Sequence, residues 1–512
     1  MKDSSTSIPL QCAPIIPIAI SFLLYMFLIP IYTCFLIYRA IVILIWKLAR
    51  PDLDSIVSDY DAIFTPSKPG KASAFIVLCL VVDGEISATR IREMFQERVT
   101  HFRNSTGELI FRKLFQTSTT FLGYMFRKTD TEFRLENHIR NYDYHKTSKI
   151  PKPSDDKTVQ QTLAGLTTAP WNPNRSPWEL LVASDYNGHQ TLLIFRIDHI
   201  LCDVYSLIEL FRVLFQSPFS TPEMKRNNRS LSTWDKLGVI LTLPYEMTTV
   251  LPIIWRGRTL APFDPTVKPL CHTSKNVPIG TIKAIKKKYN VEFATIMHSA
   301  TNAALQHALE VVGKKAPRDM DIGTVTPLPG HPEGLCNHWI SFLTEYPCQS
   351  DTSVERLYRT ERVIKKNESS PFCLAFTYSL CLVTKLPVRI VRTLLACTYA
   401  RVPSLAVSSF PTSTSREYID GLEVVDAYPS GCVTTGIGME VTSWGVNNRQ
   451  RTTFWACENI LKSPVAPGTL SNFYMEDIEE LYGHENLKVK KDARIFPLSK
   501  SAESYLPASS FK

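Results

Sequence analysis

Residues 191–204 read TLLIFRIDHILCDV. The first eight are rich in β-branched, aromatic and other apolar side chains, the composition of a strand that packs on a pleated sheet. The next segment, VYSLIELFRVLF (204–215), repeats its apolar residues at helical spacing through Leu207, Ile208, Leu210, Phe211 and Leu214. The reading is therefore strand, short polar turn, helix. His199 sits where the strand ends, and Asp203 lies four residues on, in the turn. Strand neighbours point to opposite faces, so Asp198 and His199 face apart.

Similar alternation of strand and helix extends in both directions. AFIVLCLVVDG (74–84) is a β-rich run that ends in a turn, and residues 86–99 follow with Ile91, Met94, Phe95 and Val99 on one helical face. Residues 216–231 are polar and turn-forming, as in a linker. Residues 232–260 are mostly apolar and fit either a helix lying on a membrane or a core helix bridging two domains. The second half opens with a helix over 279–312, then strands near 321–327 and 338–346. An apolar helical stretch follows at 372–400, then short strands (LAVSSFP, LEVVDAYP, GIGMEVTSWG) and a helix over 475–482.

The chain of 512 residues has room for two domains. Apolar residues at 44% and charged residues at 21% are those of a globular protein, and the net charge of +9 is mild. No basic run interleaves with aromatics, so nucleic-acid binding is not supported. The excess suits an anionic membrane leaflet or a phosphorylated cofactor. Twelve cysteines are scattered with no C-x-x-C pair and no zinc spacing. They read as thiols of a reducing compartment, and no metal site is expected.

From Ile15 to Tyr38 there is no charged residue, which is about the roughly 20 residues needed to cross a bilayer. Arg39, Lys47 and Arg50 follow, so the positive-inside tendency places the large body in the cytosol. Pro30 lies mid-segment and leaves two geometries open, a single pass or a re-entrant hairpin. The expected organisation is an anchor (1–50), a first domain carrying the histidine (51–215), a linker or crossover (216–270), a second domain (271–485) and a loose tail (486–512).

Histidine supplies a base near neutrality without a metal. The segment resembles the wax ester synthase/diacylglycerol acyltransferase family, whose motif is H-H-x-x-x-D-G within the coenzyme A-dependent acyltransferase superfamily. The resemblance extends along the chain in the family's order. Ser58-Asp59-Tyr60-Asp61-Ala62-Ile63-Phe64 looks like S-x-x-D-A-x-F, and Arg175-Ser176-Pro177-Trp178-Glu179 looks like P-L-W-E. Gly334-Leu335-Cys336-Asn337 is similar to its G-N turn, Ser408-Ser409-Phe410-Pro411 to its S-N-V-P-G-P strand end, and Ser443-Trp444-Gly445 to its S-Y-x-G turn.

The resemblance implies an α/β protein with two chloramphenicol acetyltransferase-like domains of mixed sheet, plus the N-terminal transmembrane helix. It implies a site in a tunnel between the domains, with His199 as general base, Asp203 as a structural residue and Asn337 helping to shape the site. The co-substrate would be acyl-coenzyme A and the acceptor a diacylglycerol or a long-chain alcohol; no other cofactor is implied. No acyl-enzyme is implied, so Cys202 has no chemical task. Asp198 replaces the first motif histidine, Val204 replaces the glycine, the family's N-D pair is missing near Ala294-Thr295, and Ser408-Ser409-Phe410-Pro411 lacks the Asn and the Gly-Pro. Two other readings stay open: a decayed lipid-binding or carrier protein on the same fold, and an acyltransferase for a small polar acceptor, against which the anchor argues. The endoplasmic reticulum is the expected membrane, with the plasma membrane as the other choice. The pattern carries no signal for oligomeric state.

Overall fold

The computed structural model describes residues 15–57, 59–65, 74–144, 150, 154–167, 169–221, 233–248, 250–257, 260, 269–328, 330–368, 372–401, 403–433, 437–458 and 469–483. Ser58, residues 222–232 and 261–268 of the expected linker, and the tail from 486 lie outside them. The first half contributes α1 (Ile15–Ala49), β1 (Ser55–Ile56), a 3-10 turn (Asp59–Phe64), β2 (Ala74–Val82), α2 (Ala88–Arg98), β3 (Gln116–Phe121), β4 (Tyr124–Thr129) and β5 (Ile139–Asn141). It continues with α3 (Asp156–Leu166), β6 (Trp178–Tyr186), β7 (Gln190–Asp198) and α4 (Val204–Phe215). Then come α5 (Thr233–Thr248) and α6 (Leu251–Arg256). The second half holds β8 (Pro269–Thr273), β9 (Val277–Pro278), α7 (Ile279–Tyr289), α8 (Phe293–Val311), β10 (Asp319–Pro327), β11 (Trp339–Pro347) and α9 (Ser353–Glu368). It ends with α10 (Phe372–Val383), α11 (Val388–Tyr399), β12 (Leu405–Ser409), β13 (Tyr418–Ile419), β14 (Leu422–Val433), β15 (Met439–Val446), β16 (Arg449–Cys457) and α12 (Thr469–Gly483).

Two mixed sheets organise these elements. One runs β13-β14-β2-β7-β6-β5, antiparallel except for the parallel β5–β6 pair. The other runs β11-β10-β12-β15-β16-β8, with β12 parallel to both β10 and β15. The small ribbon β1-β4-β3 stands apart. Central strands are apolar on both faces because helices or the other half cover both: every residue of β2 is buried.

The halves share strands and core. β14, inside the range 271–485 read as a second domain, pairs with β2 of the first sheet from Val424 to Val433, and β13 pairs in turn with β14. Leu335, Trp339, Trp444 and Val446 pack into one core with β2, β7, α2 and α4. Tyr428 and Trp455 fill the opposite face with α3.

Several element boundaries differ from the sequence reading, each for a local reason. The helix expected over 279–312 breaks at Asn290, whose φ of 53° is left-handed and caps α7. The stretch 372–400 is two helices because Pro387 starts α11. The last helix begins at Thr469, ahead of the expected 475. Ser443-Trp444-Gly445 lies within β15, and the turn is Asn447-Asn448, both at positive φ. At the N-terminus α1 runs unbroken through Pro30 and Arg39, so residues 15–49 form no hairpin. Ala19–Ala49 and the stretch Leu237–Arg256 are each long and apolar enough to cross a membrane, with mean hydropathies of 2.2 and 1.6.

Candidate active site

β7 lies between β2 and β6, and its ladder carries the chain to the sheet's end. The His199 N–H still donates to Ala74 O (3.0 Å), after which the backbone turns. Asp198 is buried and points away, its Oδ1 accepting from the Ile200 N–H (3.0 Å). Burial pushes its carboxyl up to about 7 against that hydrogen bond. Asp203 is the N-cap of α4: its backbone is extended and its side chain accepts from the Ser206 N–H (3.0 Å). Val204 opens the helix in ordinary backbone, so the family's glycine has no positive-φ task here.

The imidazole of His199 is half-buried and stacks on Phe64, with ring centroids 4.0 Å apart and planes 20° from parallel. Trp339 and Tyr60 continue this aromatic wall. Its Nδ1 is buried and makes no hydrogen bond among the described residues. Burial holds the ring's pKa below the usual histidine value, while the Asp203 charge, its own carbonyl, Asn337 and Asp61 pull the other way. Burial thus favours the neutral ring, the state a base requires.

The three carbonyls of the turn are held one by one. His199 O accepts from Asn337 Nδ2 (2.8 Å), Ile200 O from Arg127 (2.9 Å) and Leu201 O from Lys113 (3.3 Å). All three donors also meet on Asp61, at 2.8, 2.8 and 2.5 Å. Asp61 thus gathers the side chains that fix the histidine-bearing turn. The sequence reading quoted Asp61 only as part of a motif, and it missed Lys113 and Arg127. Their signal exists only in three dimensions, since they lie in the β3–β4 region far along the chain.

Asp203 faces the second half. His331 Nε2 lies 3.0 and 3.1 Å from its two oxygens, and the His338 N–H donates to Oδ2 (2.8 Å). Cys336 and Ser206 exchange further hydrogen bonds across the same seam. Burial disfavours the His331 cation, but the hydrogen bond to Asp203 and the neighbouring Cys336 and Asp203 charges push it up to about 10. The Asp203 carboxyl is also buried, yet His331 and two backbone N–H groups hold it below the usual carboxylate range. With these partners taken, Asp203 is an anchor for the loop 330–338 and not a relay to His199. Sequence reasoning missed His331 as the partner. Cys202 is fully buried, and burial raises its thiol well above the ordinary value.

No family model matches this sequence, and no curated protein matches it. Solved structures do. The wax ester synthase/diacylglycerol acyltransferase from Marinobacter aquaeolei VT8 superposes with a TM-score of 0.54 over 83% of this chain and 96% of that one, at 12% identity. This chain shares the fold of that protein. The first condensation domain of the CDA synthetase is also similar (TM-score 0.49, 11% identity, 87% and 94% covered). So is the cyclization-docking bidomain of EpoB from Sorangium cellulosum (0.49, 12%, 83% and 85%). At such identities the fold alone is shared, and the chemistry must be argued from the residues above.

Proposed function

We propose that this chain is a membrane-bound O-acyltransferase that moves a long-chain acyl group from acyl-coenzyme A to the hydroxyl of a diacylglycerol or a long-chain alcohol. The observation that carries the reading is His199: a half-buried imidazole at a strand end, its turn clamped by groups from both halves. In the reaction the imidazole takes the hydroxyl proton as the oxygen attacks the thioester carbonyl. The C–S bond then breaks, and the imidazolium returns the proton to the departing thiolate, giving ester and free coenzyme A thiol. A lipid acceptor fits the apolar α1, which holds the site at a bilayer. Positive charge after the segment supports a cytosolic body, at the endoplasmic reticulum in the first instance. Asp198, buried on the far face, leaves the base untouched, which favours an enzyme over a decayed carrier.

The test is a product profile from the full chain in vesicles, given labelled acyl-coenzyme A with diacylglycerol and a series of alcohols. The expected outcome is labelled ester with one equivalent of free thiol per ester. Retention of lipid with no thiol release would mark a carrier and end the proposal.

A further inference from the structure

The apolar surface does not stop at α1. Along this helix Ser21, Tyr25, Tyr32, Arg39, Val42 and Trp46 form a stripe at spacings of three, four and seven that is buried or half-buried against the body. Most of the other described side chains of the helix are exposed and apolar, from Phe22 (65%) and Phe27 (73%) to Leu48 (78%). Its contacts follow that stripe. The Tyr245 N–H of α5 donates to Ser21 Oγ (3.1 Å), Tyr25 OH donates to Ile240 O of α5, and Tyr32 OH to Leu382 O of α10 (3.0 Å). Further on, Tyr38 OH reaches Leu122 O (3.2 Å) and Trp46 packs on Phe126 of β4. A helix hydrogen-bonded along its length to two others brings them into whatever medium surrounds it.

Those partners are themselves exposed and apolar. On α5, Trp234 is 73% exposed, with Leu237, Ile240 and Leu241 beside it; on α6, Trp255 is 84% exposed. Leu382 and Leu394 extend the surface over α10 and α11. Such a contiguous patch is far larger than isolated surface apolar residues and marks an interface. Its inner side is the site's own wall: Leu380 and Cys381 of α10 and Leu395 of α11 pack against the core that holds Phe64 and Trp339. Phe64 in turn stacks on His199.

We propose that α5–α6 and α10–α11 are embedded in the bilayer beside α1, as one composite membrane surface backing the catalytic wall. The occupant is lipid acyl chain, because the patch is continuous with α1 and tied to it by backbone and side-chain hydrogen bonds. If the acyltransferase reading above holds, a lipid hydroxyl then reaches His199 from within the membrane layer, the acceptor class of that reading.

The test uses the full chain in phosphatidylcholine vesicles whose acyl chains carry bromine, a quencher of nearby tryptophan emission. Five of the eight tryptophans, Trp171, Trp178, Trp339, Trp444 and Trp455, are buried in the body. The quenchable signal should therefore come from Trp46, Trp234 and Trp255. The W234F/W255F variant, altered only at exposed positions, should lose more than half of the wild-type quenching. Equal quenching in the two proteins would overturn the proposal, as would a surface shielded by a bound protein and so unquenched. The measurement needs no turnover. A chain that forms no ester but shows the quenching difference refutes the function alone, and an active chain without it refutes the surface alone.

Discussion

At the residue scale, a histidine acquires meaning from its surroundings. His298 is buried in the second core, stacked on Tyr346 at 4.5 Å, and burial lowers it to about 4. His199 is held at the end of a strand by groups that also meet on Asp61. Breaking that node should be felt in both stability and chemistry. Asp61→Asn removes the charge that pairs Lys113 and Arg127, and a broken buried pair costs on the order of 3 kcal/mol. The expected result is a lower melting temperature, with kcat reduced about tenfold and KM for acyl-coenzyme A little changed, read from steady-state kinetics below the melting transition. His331 permits a pH test. Its folded pKa is raised from 6.5 to about 10, so its stabilising contribution is complete below pH 6.5 and declines from there until it is gone above about 10. The difference in melting temperature between wild type and His331→Ala should therefore shrink steadily between pH 6.5 and 10. A difference that grows with pH would contradict the ion pair with Asp203.

Among the elements, the loop 330–338 joins the two halves, and Gly334 permits its approach. Its φ of 82° is left-handed, and a Cβ there would lie 2.6 Å from Ile110 O. Gly334→Ala should destabilise the protein by on the order of 1–3 kcal/mol and loosen Asn337 from His199 O. Thermal melts and thiol-release rates on the same sample check this, with both expected to fall. The strand–turn–helix around His199 was legible in the sequence because a β-rich apolar run gives way, across a short polar turn, to apolar residues at helical spacing. Asp203 was placed in the turn, and its role as the helix N-cap emerged only in the structure. Breaks within long apolar stretches were not legible: the helix read over 279–312 ends its first part at Asn290, which takes the left-handed region.

For the whole molecule, the family resemblance implied two mixed α/β units, but not that β14 leaves the second half to pair with β2. Strand exchange follows from long-range pairing, to which local pattern is blind. The same blindness hid the Asp61 node and the partners of α1, whose composition announced a membrane segment without showing which helices lie against it. The departures at Asp198 and Val204, which looked like damage to a motif, are absorbed by a buried hydrogen bond and an ordinary helix start. What unites these levels is one histidine on a clamped turn at the seam of two halves.

The decisive measurement is the rate of coenzyme A thiol release by wild type and His199→Ala, in vesicles containing the preferred lipid acceptor and with matched melting curves. General base catalysis predicts a loss of about 10²–10⁴-fold with the fold intact; a variant that turns over at the wild-type rate would contradict the role assigned to His199.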